Sequence, residues 1–232
     1  MMSVAENLTK INESIRREEA ASGRPANSVR LVAVSKFHPA EAVIEAIGAG
    51  QVLFGENRVQ EAFAKFTDIA ERGHHFDLHI IGTLQRNKVR DAVKVASCIE
   101  SVDRIVLLDE IEKQCAKINK TIEVLLEVHT GEETKAGFAD AAELEKAVCL
   151  CAEGAYPHIV LKGLMTMAPN TDDAETVRNS FRTLRTLRDT LSKKCGIDLP
   201  ELSMGMSGDY PIAISEGATI VRVGTAIFGA RQ

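Results

Sequence analysis

The chain has 232 residues, 45% of them hydrophobic, and a formal net charge of −5. That length suits a single α/β barrel with a sizeable core, and the acidic balance argues against nucleic acid or an anionic membrane as a partner. MMSVAENLTK lacks the apolar run of a secretory leader and no later stretch is long enough to span a bilayer, so a cytoplasmic protein is expected.

The chain opens with Val4, Leu8, Ile11 and Ile15 at helical spacing, and SGRPANS ends that helix. Strand and helix signals then alternate. RLVAVSK reads as a strand buried on both faces, followed by a helix over Pro39–Ala49 that a proline opens. QVLFGEN precedes a helix over Arg58–Arg72, DLHIIG one over Gln85–Val95, and SCIESV one over Asp103–Asn119. TIEVLLEVHT leads into Asp140–Glu153, HIVLKGLMTM into the long helix Asp172–Lys194, PELSMG into a short helix near Asp209–Glu216, and TIVRVG closes the series. Eight strands separated by seven helices, with one helix in front, predict a (β/α)8 TIM barrel with an extra N-terminal helix. An open doubly wound sheet shares the order, but eight units in about 200 residues favour closure. No linker divides residues 1–232, which read as one domain.

In such a barrel the chemistry belongs at the carboxyl ends of the strands, and the first strand ends in Lys36. A lysine there either reaches solvent or serves as an amine for covalent chemistry. The last two strands end in SMGMSGD and RVGTAIFGAR, where small residues let backbone amides approach an anion and hydroxyls add donors. Ser207, Gly208, Gly224 and Thr225 are the candidates, tight turns being the plain alternative. Arg222 alternates with Val221 and Val223 and shares a face with Ile220 and Gly224. Inside a barrel it needs a partner, either Glu56 or Glu127 in an ion pair, or an acceptor on a ligand. A lysine, a phosphate cradle and an inward arginine together suggest an aldehyde with a phosphate and a ring acceptor, as in pyridoxal 5′-phosphate. A sugar-phosphate aldolase would share the first two features and have no use for the arginine.

LVAVSK, FGENRVQEA, IGTLQRNK, GLMTMAP, LSMGMSGD and GATIVRVGTAIFGAR, in this order over nearly the whole chain, resemble the pyridoxal phosphate homeostasis family, whose fold is similar to the barrel domain of alanine racemase. The resemblance implies that Lys36 holds pyridoxal 5′-phosphate as an aldimine, that Ser207, Gly224 and Thr225 hold its phosphate, and that Arg222 faces the pyridine nitrogen. It places Asn57 and His79 at strand ends flanking the cofactor. HIIG where HFIG is expected, and KAGF at Lys135–Phe138 where KSGF is common, touch no ligand. The implied role is a non-enzymatic, monomeric carrier that buffers the cofactor or delivers it to apo-enzymes. The alternative is a racemase-like enzyme of low activity. Racemases of this fold also use a tyrosine from a second domain, whereas here only Tyr156 and Tyr210 exist and the chain ends about where the barrel is complete.

The remaining features have plainer readings. Five cysteines with no CxxC read as buried thiols rather than a disulfide framework or a metal site. His74 and His75, adjacent in GHHFDLH, are poorly placed to chelate. Arg178, Arg182 and Arg185 make a basic stripe that reads as a solvated helix face. Arg86 and Lys88 follow a strand end and so fall near the expected mouth.

Overall fold

The computed structural model describes residues 3–131 and 136–229. Eight strands close in sequence order into an all-parallel barrel: β1 (Arg30–Val34), β2 (Leu53–Glu56), β3 (Asp77–Ile80), β4 (Cys98–Val102), β5 (Ile122–Glu127), β6 (Ile159–Met165), β7 (Glu201–Ser203) and β8 (Ile220–Val223). Around them run α1 (Val4–Ala21), α2 (Ala40–Gly48), α3 (Val59–Glu71), α4 (Val89–Val95), α5 (Ile105–Ile118), α6 (Ala141–Ala152), α7 (Ala174–Cys195), α8 (Tyr210–Ser215) and α9 (Thr225–Phe228). The barrel expected from the alternating pattern is therefore present. Gln85–Val95 divides into a single 3-10 turn, Arg86–Lys88, and α4. The four residues of α9 are too few to carry a periodic signal, and the sequence reading missed them. Among the described residues no helix is long and apolar enough to cross a membrane.

Strand alternation separates two packing regions. Val32, Val34, Cys98, Leu125, Met165 and Ile220 pack together inside the barrel. Leu31, Ala33, Phe54, Leu78, Val221 and Val223, one step away on the same strands, join the larger core beneath the helices. The interior apolar cluster is small because His79, Glu100, Glu127, Ser203 and Arg222, all buried, occupy other inward positions. Between β6 and β7 the backbones come so close that a Cβ on Gly163 would lie 1.9 Å from Glu201 O, beside the register shift that β6 makes against β5. Only glycine fits there.

The leading helix supports the two strands that bear Lys36 and Arg222. Its start is a capping box in which Ser3 Oγ accepts from Glu6 N–H at 3.1 Å while Ser3 N–H donates to Glu6 Oε2 at 2.8 Å. Asn7 then donates to Ile227 O, Tyr210 donates to Ser14 Oγ, and buried Glu19 accepts from Val29 N–H at 2.7 Å, just before β1. So α1 is tied to α8, to α9 and to the entry of β1.

Two expectations change. Cys149 on α6 and Cys195 at the end of α7 form a disulfide with Cα atoms 5.2 Å apart, whereas buried thiols were expected. The partners are 46 residues apart, and only the packing of α6 on α7 brings them together. Cys98 and Cys115 are buried free thiols and Cys151 is a partly buried one. The arginine stripe is also more than a solvated face, because Arg178, Arg182 and Arg185 all converge on Glu216, at the end of α8, which is itself buried. Among the described residues no group of histidines, cysteines and carboxylates could hold a metal ion. Lys135 of the KAGF stretch lies outside the described residues.

Candidate functional site

A cavity of about 300 Å³ opens at the carboxyl ends of the strands, and six of the seven sequence-derived site residues line it: Lys36, Asn57, Ser207, Arg222, Gly224 and Thr225. Gly208 lines it as well, and Val34, Ile81, Met167 and Met206 supply apolar walls. His79 is not among these residues. It lies deeper in the barrel and borders a separate cavity at the amino ends of the strands. The reason is its place on β3, where the inward residue nearest the mouth is Ile81. Of the two basic residues after β3, Lys88 shares a groove with Asn57 beside the mouth, whereas Arg86 turns to Glu110 on α5.

Lys36 sits in a turn that is held from behind. His38 N–H donates to Ser35 O at 3.1 Å, and Phe37, the third residue of this turn, adopts a left-handed conformation with φ of 68°. A side chain in that conformation costs roughly 1–2 kcal/mol, and the Arg58 guanidinium lies over the exposed Phe37 ring, 5.4 Å from its centroid. Behind the turn, Lys65 on α3 donates to Ser35 O and to Glu56 Oε1, each at 2.8 Å, and Ser35 Oγ donates to the same carboxylate oxygen at 2.7 Å. Glu56 therefore faces outward from the barrel and pairs with Lys65. It is not the partner of Arg222 that the sequence allowed, because alternation along β2 puts Gly55 inside and Glu56 outside. Its second oxygen, Oε2, is buried without a partner. Lys65→Met should leave that carboxylate stranded and cost about 3–5 kcal/mol in denaturant unfolding. The Lys65→Met/Glu56→Gln double variant should recover much of the loss, and equal costs for both variants would refute the pairing.

Arg222 is held inside the barrel at 4% exposure. It donates through Nη1 to Ser203 Oγ at 2.6 Å and through Nη2 to Thr166 O at 2.8 Å, while Glu100 Oε2 stands 3.8 Å from Nη1. Glu100, not Glu56 or Glu127, is thus its ion-pair partner. Burial lowers the Arg222 pKa from its ordinary value, against the charges of Glu100 and Glu127. Burial would raise Glu100, but the hydrogen bond and charge of His79 and the charge of Arg222 outweigh it and hold the carboxyl below its usual range. Two of the five guanidinium N–H donors are engaged by Ser203 and Thr166. Arg222 also lines the cavity, where a guanidinium can donate to a ligand's acceptor.

Glu127, on the inward face of β5, differs from Glu100. Burial pushes its carboxyl up to about 7, with Asp103 and Glu100 adding to the effect and Arg222 opposing it. A raised folded-state pKa means that the folded protein holds the proton more tightly than the unfolded chain. The associated stability is complete at acidic pH and is lost as pH rises from the ordinary carboxylate range through about 7. Relative to Glu127→Gln, the wild type should lose roughly 3 kcal/mol between about pH 4 and about pH 8 in urea unfolding. Parallel pH profiles for the two proteins would show that Glu127 ionises normally.

At the far side of the cavity the loops after β7 and β8 meet. Among the described residues the backbone N–H groups of Ser207, Gly208 and Thr225 donate to no protein acceptor, and neither do the Ser207 and Thr225 hydroxyls. Five donors without protein partners around one small space are chemically suited to an anion. A Cβ on Gly208 would meet nothing within 4 Å, whereas one on Gly224 would come within 3.0 Å of Val34 O. The first glycine borders open space and the second is packed against β1.

The sequence reading missed His38, which lines the cavity and stacks on Phe228 with ring centroids 5.1 Å apart. Burial and the charge of Lys65 lower its pKa against the pull of Glu56, so the mouth carries a neutral imidazole near pH 7. It also missed the roles of Glu100, Ser203 and Lys65.

Comparison with known proteins gives the family. The family model for the alanine racemase N-terminal domain matches residues 7–232. The pyridoxal phosphate homeostasis protein of Aquifex aeolicus is 39% identical over 231 residues, all of both chains, and that of Escherichia coli K12 is 35% identical over 236 residues, covering 100% of this chain and 98% of the relative. The chain belongs to the pyridoxal phosphate homeostasis protein family. The structure of PipY from Synechococcus elongatus with pyridoxal phosphate bound superposes with a TM-score of 0.85 at 37% identity, covering 98% of this chain and 100% of PipY. Alanine racemase from Corynebacterium glutamicum shares the fold alone, with a TM-score of 0.70 at 19% identity over 97% of this chain and 59% of the racemase.

Proposed function

We propose that this protein binds pyridoxal 5′-phosphate at the barrel mouth as a Schiff base on Lys36, and that it buffers the cofactor or delivers it to apo-enzymes as a cytoplasmic monomer. The observation that carries the proposal is the convergence of an amine, a set of N–H groups without protein acceptors and a buried guanidinium on one apolar-walled cavity. Relatives named for pyridoxal phosphate homeostasis, and a PipY structure with that molecule bound, support it. Bound there, the cofactor supplies an aldehyde that an amine holds reversibly. Lys36 is the amine that lines the cavity, and Lys65 lies behind the turn on Glu56 and the Ser35 carbonyl. Ser207, Gly208 and Thr225 donate to the phosphate. Asn57 and the neutral His38 flank the ring.

Arg222 donates to the ring nitrogen and leaves it unprotonated. An unprotonated ring is a weak electron sink, which favours holding the cofactor over carbanion chemistry. The racemase reading is the second choice, and the placement of the tyrosines weighs against it. Tyr156 donates to Asp109 on α5 and Tyr210 to Ser14 on α1, and neither lines the mouth. A racemase needs an acid–base group on each face of the substrate.

Incubation of the loaded protein with L-alanine in heavy water should give little α-deuteration and almost no D-alanine, as read by mass spectrometry and chiral chromatography. Turnover on the order of ten per second, typical of enzymes, would replace the carrier reading with the racemase one. Mixing the loaded protein with an apo-enzyme that needs pyridoxal phosphate should restore that enzyme's activity. Failure with several apo-enzymes would remove delivery and leave buffering.

A further inference from the structure

The partner of Arg222 is itself held by another residue. Glu100 has one oxygen, Oε1, at 2.5 Å from His79 Nδ1, and the other, Oε2, accepts from Ser203 Oγ at 2.5 Å. Ser203 Oγ in turn accepts from Arg222 Nη1 at 2.6 Å. Four side chains from β3, β4, β7 and β8 thus form one hydrogen-bonded string inside the barrel, with His79 at its deep end and Arg222 at the mouth. Because an ionised carboxylate only accepts, the proton in the His79–Glu100 contact belongs to Nδ1.

The distances within this string are informative. Arginine and carboxylate prefer a direct two-pronged contact, and inside a protein that preference is strong. Here Glu100 stops 3.8 Å short of Nη1, with the Ser203 hydroxyl between them. The hydrogen bond from His79 is what restrains the other oxygen. Without it, Glu100 could rotate and close on the guanidinium, drawing Arg222 donors away from the cavity.

We propose that His79 is a positioning residue for the mouth: by restraining Glu100, it keeps Arg222 donors directed at the ring nitrogen of bound pyridoxal 5′-phosphate. This rests on the binding reading given above. It also changes the role of a residue that the family resemblance placed beside the cofactor, since His79 acts through Glu100, Ser203 and Arg222 and does not line the mouth.

The test uses the full-length protein with three substitutions. His79→Leu removes the donor, His79→Asn keeps an N–H near the place of Nδ1, and Ser203→Ala removes the intervening hydroxyl. Each variant is titrated with pyridoxal 5′-phosphate, and the absorbance of the Lys36 adduct is followed against pH. His79→Leu and Ser203→Ala should move the apparent pKa of the adduct by about half a unit or more and weaken binding several-fold, while His79→Asn stays close to wild type. A fall in melting temperature with unchanged adduct pKa and affinity would show a purely structural role and overturn the proposal. A second readout needs no cofactor: the guanidinium ¹⁵N signals of Arg222 in the apo-protein should shift in His79→Leu and return in His79→Asn. Unmoved signals would overturn the positioning role whether or not the cofactor binds. If the wild type forms no Lys36 adduct although the Arg222 signals respond, the binding reading fails and the string stands.

Discussion

Lys36→Ala should abolish the covalent adduct with pyridoxal 5′-phosphate and leave the fold intact. Borohydride reduction of the loaded wild type should place the label on the peptide bearing Lys36. The same treatment of Lys36→Ala should give no labelled peptide and no Schiff-base absorbance. Little stability is at stake, because Lys36 is only partly buried at the mouth and its removal opens no cavity in either apolar cluster. Among the described residues no other lysine lines the cavity. Lys65 is held behind the turn by the Ser35 carbonyl and Glu56, and Lys88 lies in the neighbouring groove. Non-covalent binding should survive, since the phosphate donors and Arg222 are untouched. A label found on Lys88, or retained in Lys36→Ala, would move the amine elsewhere and undo the assignment.

The parts of the fold legible in the sequence were those with a period. LVAV, VLFG and IVRV each give a buried strand, the helices between them give 3.6-residue spacing, and their count gives a closed barrel. The topology then placed Lys36, Asn57, Ser207, Arg222, Gly224 and Thr225 at one end, because parallel strands present all their carboxyl ends to the same side. What the sequence could not convey was which side chains pair across the barrel. Arg222 plainly needed a partner, and three glutamates near strand ends were available. Alternation along β2 would have set Glu56 outside, and alternation from Ile99, which packs beneath the helices, sets Glu100 inside. That signal was present and unused. The contacts between helices are different in kind. The Cys149–Cys195 bridge and the arginines gathered on Glu216 join residues from separate units, and no local pattern encodes them. His38 was hidden by its neighbour proline, which marked the segment as a helix start rather than as cavity wall.

Filling the anion cradle should weaken cofactor binding without unfolding the protein, and the two glycines that border it separate these effects. A side chain at Gly208 meets no atom within 4 Å, so Gly208→Val should melt close to wild type while adding methyl groups beside the cavity that Gly208 lines. The loss should be at least about 3 kcal/mol, roughly a hundredfold in affinity, because several charge-assisted hydrogen bonds are lost together. Ser207→Ala removes one hydroxyl, keeps its backbone N–H, and should cost only about 1–3 kcal/mol. Gly224→Val should be the most damaging of the three, since its Cβ would press on Val34 O at 3.0 Å and on Val34 Cβ at 3.2 Å. It should therefore lower the melting temperature as well as the affinity, through strain between β8 and β1. The decisive comparison is the ratio of affinities for pyridoxal 5′-phosphate and for pyridoxal, which shares the aldehyde and the ring and lacks the anion. That ratio should be large in the wild type and should collapse towards one in Gly208→Val. A wild type that binds both molecules equally, or a Gly208→Val variant that keeps the wild-type ratio, would place the phosphate somewhere other than between Ser207, Gly208 and Thr225.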